Sequence, residues 1–199
     1  DSSPSRGLGD VYKRQDPFCL CEGFKGPEQV RDNKPYHDEI TNEWVAPFFM
    51  AAINTKNVHR SNAMMGHPYG KNFLYDEMFS CGPGEAGQKK AELISAYNPL
   101  LGDNVPKPGE GPSKESRDSG SYDMLFTGVD DGEIKINVSV KGEGDPGYSS
   151  TSKMIAESAL CLLFDCPELA GGIYTTAPAM GQKLIDRLED KDVMYFSEE

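Results

Sequence analysis

Between residues 133 and 141, Ile134, Ile136, Val138 and Val140 alternate without a break with Glu133, Lys135, Asn137, Ser139 and Lys141. A strand of side-chain period two carries one apolar and one polar face, which demands an antiparallel sheet buried on one side and wet on the other. A second apolar segment, residues 122–128, precedes it. Val129, Asp130, Asp131 and Gly132 lie between them and favour a tight turn, so the pair reads as a hairpin.

The rest of the chain arranges itself around that hairpin. Residues 44–53 are apolar almost throughout, with Pro47 inside, and predict a helix beginning near the proline. Residues 72–81 read as a strand. Residues 86–97 read as a helix with Ala91, Leu93 and Ile94 facing inward. Residues 151–164 predict a helix capped by Ser/Thr, with Ile155, Ala159, Leu162 and Leu163 as its inner stripe. A short strand is expected over 173–175 after Gly171 and Gly172. Next comes a helix capped by Thr176, with Pro178 in its first turn and Met180, Leu184 and Leu188 buried. Residues 193–196 close as an edge strand. Residues 99–121 form a long Pro/Gly/Ser-rich loop in which Ser113 can start a helical turn. This order predicts an α+β fold, a mixed, largely antiparallel sheet with helices packed on it.

Composition narrows the function. With 20 Lys+Arg against 32 Asp+Glu, the net charge of −12 argues against nucleic acid, whose binding draws on a basic face. No apolar run approaches the roughly 20 residues of a spanning helix. Five cysteines without paired spacing suit free thiols in a reducing, cytoplasmic setting. Residues 1–15 are polar, without an apolar period, and resemble adapter read-through or a disordered tail that should not pack. On the adapter reading, residues 16–199 are one domain cut from a longer parent.

Several motifs bear on chemistry. Gly82, Gly84 and Gly87 match G-x-G-x-x-G between a strand and a helix. Pro83 removes an N–H from that loop, Asp76 and Glu77 burden the preceding strand, and no second buried strand follows. A plain strand-to-helix turn is the better reading, with no cofactor-binding residues assigned. His37, His59 and His67 lie far apart and no cysteine stands at ligand spacing from them, so no metal site is assigned. No catalytic residue stands out. The segment following Gly144 delivers Tyr148, Ser149, Ser150, Thr151, Ser152 and Lys153 to a helix start, where free N–H groups and the helix dipole favour an anion. Simple capping is the commoner role of a Ser/Thr cluster at a helix start. Ser113, Lys114 and Arg117 form a similar set, whose bland reading is a solvated loop.

The chain also resembles a known family. APFFMAAINTK over 46–56, HRSN over 59–62, KPGEGPS over 107–113, GDPGY over 144–148, TSKMIAESAL over 151–160 and GGIYTTAPAMG over 171–181 are similar to the saccharopine-dehydrogenase-like oxidoreductases, and within them to the trans-acting enoyl reductases. The resemblance implies an NAD(P)-dependent oxidoreductase with an N-terminal Rossmann domain. It also implies a second domain of mixed sheet and helices that shapes the substrate site and often the dimer contact. Some members serve lipid synthesis, which implies an acyl substrate and allows peripheral membrane association. The expectation is the C-terminal, substrate-side domain, truncated upstream, with NAD(P) in the parent and neither cofactor nor activity in this piece alone. Substrate contacts are then expected from Tyr148, Ser149, Thr151, Ser152 and Lys153, helped by Ser113, Lys114 and Arg117. The alternative is a non-catalytic binding or dimerisation module.

Overall fold

Two three-stranded antiparallel sheets and the helices laid on them make up the protein, an α+β fold as the sequence predicts. The computed structural model describes residues 16–30, 34–97 and 111–199. The tail expected over 1–15 and most of the loop expected over 99–121 lie outside those residues. The chain divides into two compact units, Asp1–Asn98 and Pro99–Glu199.

In the first unit, β1 (Tyr36–Asp38), β2 (Glu43–Pro47) and β3 (Met78–Gly82) pair in that order. Helix α1 spans Ala51–Met64 and α2 spans Gly84–Ala96. The helix expected to begin near Pro47 is therefore split. Trp44, Val45 and Ala46 lie on a central strand bonded on both edges, and the helix starts only at Ala51. Pairing on two sides and burial of Val45 and Ala46 outweigh the helical reading, and Pro47 sits at the strand end, where its missing N–H costs least. The strand expected over 72–81 forms only from Met78. Upstream of it, the Gln29 side chain takes the partner's place, accepting from the Tyr75 amide at 3.0 Å and donating to the Phe73 carbonyl at 3.2 Å. Ala46, Cys81 and Ala91 form the core beneath α2, with Trp44 and Ile94 against it. Leu93, expected inward, is 72% exposed. Gly87 and Ala91, the buried residues of α2, are small enough to let it lie close to the sheet, with Ile94 packed beside them.

In the second unit, α3 (Lys114–Asp118) precedes β4 (Ser121–Asp130) and β5 (Glu133–Glu143). The hairpin forms as read, paired from Ser121 opposite Glu143 to Asp130 opposite Glu133, with a one-residue shift between Gly128 and Val129. Asp131 and Gly132 turn it with φ of 50° and 75°, the double positive φ of a type I′ turn. Strand β6 (Tyr195–Glu198) pairs along the other side of β5. It begins two residues later than expected, because Val193 and Met194 are drawn into the core.

Helix α4 (Ser149–Leu160) runs into a π-helical turn, Cys161–Asp165. Beyond it lie α5 (Thr176–Met180) and α6 (Gln182–Asp190). The single helix expected from 176 is broken at Gly181, whose φ is +50°. No strand forms over 173–175, and Ile173 is exposed. Val140, Leu188, Val193 and Met194 make the main core, with Tyr122, Val138, Met154, Leu184 and Phe196 packed against it.

Two expectations fail here for geometric reasons. The apolar face of β5 is not buried along its length, since Ile136 is 43% exposed and Ile134 is also exposed. An 11-residue strand reaches about 36 Å, whereas the 12 residues of α4 cover only about 18 Å. The turn end of the hairpin outruns its cover. Helix α4 is also rotated by about one residue from the expected stripe. Ser150, Met154, Glu157 and Cys161 face inward, and Ile155 is 70% exposed. Polar partners hold that rotation: the Ser150 hydroxyl meets the Tyr122 hydroxyl at 2.8 Å, and Glu157 accepts from Arg187 Nε at 2.6 Å. Gly142 is required opposite Tyr122, because a Cβ there would lie 2.2 Å from the phenol oxygen.

Candidate functional site

The second unit gathers every site residue chosen from sequence around the junction of β5 with α4. The chain leaves β5 through Gly144, whose φ is +86°. Two backbone bonds tie this turn to the end of α3: Gly144 N–H donates to the Gly120 carbonyl at 2.7 Å, and Asp145 N–H to the Arg117 carbonyl at 2.8 Å. Gly120 is closely approached in return, since a Cβ on it would meet the Asp145 nitrogen at 2.7 Å. Thus α3 and the start of α4, far apart in sequence, form one corner.

Two hydroxyls of that corner, though exposed, are bonded to nearby carbonyls. Thr151 Oγ1 donates to the Pro146 carbonyl, and Ser152 Oγ donates to the Ser149 carbonyl at 2.8 Å. No side chain caps α4, contrary to the expected Ser/Thr cap. The Asp145 carboxylate accepts from the Tyr148 N–H at 2.7 Å, and the Asp145 carbonyl accepts from Ser150 N–H at 2.9 Å. A protein carboxylate therefore already stands at the start of α4, where a helix dipole stabilises negative charge. Ser113, in contrast, caps α3 as read, accepting from Ser116 N–H at 3.1 Å.

The cations converge. Lys114 pairs with Asp118 one turn on, and Arg117 Nη1 donates to the Pro112 carbonyl at 2.6 Å. Asp118 is held below the usual carboxylate range, first by its hydrogen bond from Lys114 and then by the charges of Lys114, Arg117 and Lys153. Among the described residues Lys114 alone pairs with this carboxylate, and Arg117 and Lys153, the latter from α4, add their charge from further off, in a chain of net charge −12. Tyr148, itself exposed, lies alongside Gly111, whose Cβ would touch its ring at 3.5 Å. The corner is an open surface. Two shallow depressions of about 210 and 290 Å³ lie elsewhere, one against Phe18 and Gln29, the other beside Cys166 and Met180.

Sequence reasoning missed the acidic members of this corner, Asp118 and Asp145. The signal for Asp145 was available, since an Asp ahead of Pro and Gly commonly bonds a backbone N–H two or three residues on. It also missed the half-buried pairing of Arg187 with Glu157 and, through Nη1 at 2.9 Å, with Asp165. No pattern in the chain points to that pairing.

The histidines serve packing. His59 is buried, with its ring 4.4 Å from that of Phe18 and 5.7 Å from Phe73, and burial holds it below the usual imidazole value. Among the described residues, no three His, Cys, Asp or Glu side chains gather as a metal site would require.

The G-x-G-x-x-G segment does not fit a dinucleotide. It joins an antiparallel strand to α2, with φ positive at Gly82 and Gly84. Pro83 at the N-cap offers no N–H, Gly87 N–H is already bonded to the Pro83 carbonyl at 3.3 Å, and Glu85 places negative charge in the first turn. Gly87 serves packing: a Cβ there would lie 1.9 Å from the Gly82 carbonyl oxygen.

Comparison with known proteins adds what this geometry leaves open. The chain is 36% identical over 210 aligned positions to a Mycobacterium tuberculosis protein named as a trans-acting enoyl reductase, covering 94% of this chain and 50% of that one. It is 30% identical over 206 positions to the trans-acting enoyl reductase of Mycobacterium ulcerans, covering 90% and 49%. It is 31% identical over 183 positions to that of Mycobacterium bovis, covering 82% and 43%. No family model and no solved structure matches the chain. The chain spans about half the length of the curated relatives it matches, and along nearly all of its own length it is similar to proteins named trans-acting enoyl reductases.

Proposed function

We propose that this chain is the substrate-side domain of an NAD(P)-dependent oxidoreductase of the saccharopine-dehydrogenase-like kind, reducing an acyl substrate in the cytoplasm. The observation that carries the reading is the cluster of Lys114, Arg117 and Lys153 in a strongly acidic chain whose relatives bear the name enoyl reductase. The nicotinamide cofactor, in this reading, is held by a part of the polypeptide other than the residues described here. No step of hydride transfer is assigned to these residues.

Their role is to receive and orient. Lys114, Arg117 and Lys153 supply positive charge to an anionic or carbonyl-bearing group, with Tyr148 alongside as an apolar wall. Ser113, Ser149, Thr151 and Ser152 keep the two helix starts in place. Because Asp118 and Asp145 lie within the corner, an incoming anion must displace or outbid a protein carboxylate, so binding is expected to be weak without the rest of the enzyme.

Calorimetry with crotonyl-coenzyme A, and with coenzyme A alone as the control for its phosphates, tests this reading. Binding that weakens at least about tenfold in a Lys114→Gln, Arg117→Gln, Lys153→Gln triple variant supports it; a tenfold loss corresponds to about 1.4 kcal/mol. Equal affinity of the triple variant would overturn it, as would micromolar binding of NADPH by this chain alone.

A second reading, a dimerisation module, is favoured by the exposed apolar side chains Ile155, Leu163 and Phe164 on α4 and the turn after it. It requires a symmetric oligomer in solution, and light scattering that finds monomer alone excludes it.

A further inference from the structure

Cys161 and Cys166 take no part in the corner described above. They bracket the π-helical turn that ends α4, where the Cys166 N–H donates to the Cys161 carbonyl at 3.1 Å. A backbone bond that closes five residues in this way brings the two Cα atoms to roughly 6 Å, inside the roughly 4.4–6.8 Å that a disulfide spans. Both side chains lie in one apolar cluster with Met180, packed by Leu169, Ala179 and Leu184. Both are free thiols.

The two differ in access. Cys161 is 0% exposed and Cys166 is 8% exposed. Cys166 also lines the depression of about 290 Å³ beside Met180 and Gly181, and Cys161 does not. Burial, foremost, and hydrogen bonding with Cys166 push the Cys161 thiol up to about 11, so it stays protonated at neutral pH. One sulfur stands at an opening, and the other waits directly behind it.

We infer that Cys161 and Cys166 form an oxidisable dithiol, in which Cys166 meets a peroxide and Cys161 resolves the product as an intramolecular disulfide. In the first step the Cys166 thiolate attacks one oxygen of hydrogen peroxide. The O–O bond breaks, an S–O bond forms and hydroxide leaves; sulfur loses two electrons and the peroxide gains them. In the second step the Cys161 sulfur attacks the Cys166 sulfenic acid. An S–S bond forms, the S–OH bond breaks, and the departing hydroxide leaves as water with the Cys161 proton. Overall, two thiols and one peroxide become one disulfide and two waters. The bond would lock the turn that follows α4, which itself carries Asp165, a partner of Arg187.

Mass mapping of the reduced, folded chain tests this directly, because residues 154–183 form one tryptic peptide containing both cysteines and no others. After hydrogen peroxide, denaturation and iodoacetamide, that peptide is expected about 2 Da lighter than its reduced form and unalkylated, and to take two alkyl groups after dithiothreitol. In Cys161→Ser, dimedone is expected to trap a sulfenic acid on Cys166. In Cys166→Ser, Cys161 is expected to resist peroxide over the same time while the protein stays folded by circular dichroism. Two alkylated thiols in the peroxide-treated wild type would overturn the inference. So would a disulfide that forms only in urea, one that joins separate chains, or equal oxidation of Cys161 and Cys166 in the two variants. The wild-type map is decisive even where a variant fails to fold.

Discussion

The protein contains two strand-to-helix junctions built from similar parts, and they do different work. At the first, β3 passes through Gly82 and Gly84 into α2; at the second, β5 passes through Gly144 into α4. The first carries a phosphate-binding sequence pattern, but packs Gly87 against the Gly82 carbonyl and pairs Lys89 with Glu85 of the first helical turn. The second matches no nucleotide pattern, yet sets Lys114 against Asp118 with the charges of Arg117 and Lys153 close enough to lower its carboxyl. Glycine spacing reports how near two backbones come. Charge convergence reports chemistry, and it depends on which segments the fold joins.

The sharpest way to break the comparison is Gly87→Val, which should destabilise the first unit by about 3 kcal/mol in urea unfolding, because the clash is with backbone that cannot swing away. A Gly87→Val protein of unchanged midpoint would remove the packing role. Next in size, Tyr122→Phe should cost about 1–2 kcal/mol, since it leaves the fully buried Ser150 hydroxyl without its partner at 2.8 Å. A loss this large also requires the rotation of α4 to be held by that bond.

Alanine at Gly84 or Gly144 should cost about 1 kcal/mol each, because φ is +66° and +86° there. Gly144→Ala should cost more, since its Cβ would meet Ser149 Oγ at 3.1 Å while nothing lies within 4 Å at Gly84. Adding Ser149→Ala should narrow that gap without closing it, since the Ser149 Cβ would still lie at 3.3 Å, and an unchanged gap would show that the second junction is tight for another reason.

The smallest effect concerns Asp118. Its carboxyl is lowered in the folded chain, so its contribution to stability is present above the unfolded-state value and fades as pH falls through the folded one. Lys114→Gln should raise its titration midpoint more than Lys153→Gln, as followed by carboxyl-carbon NMR. The reverse order would place Lys153, not Lys114, as the principal partner.

Much of the local structure was legible before any coordinates. Asp131 and Gly132 announce the hairpin, Ser113 its helical turn, and Met180 and Leu188 the buried side of the last helices. The errors share one cause. Trp44, Val45 and Ala46 read as helix because their run is apolar, and only the strands on either side make them a central strand. Ile155 read as core because it sits on an apolar stripe, and only Tyr122 and Arg187 turn that stripe outward. The cations of the candidate site were readable as residues; the influence of Lys153, from α4, on Asp118 was not.

Sequence alone decided where this chain can bend, cap and alternate, because φ preferences, capping hydroxyls and side-chain period act within a few residues. The tertiary structure decided which face of α4 is buried, how far the hairpin is covered, and which charges and thiols become neighbours. Those outcomes turn on contacts between segments distant along the chain, such as Glu157 with Arg187, whose energy no local window contains.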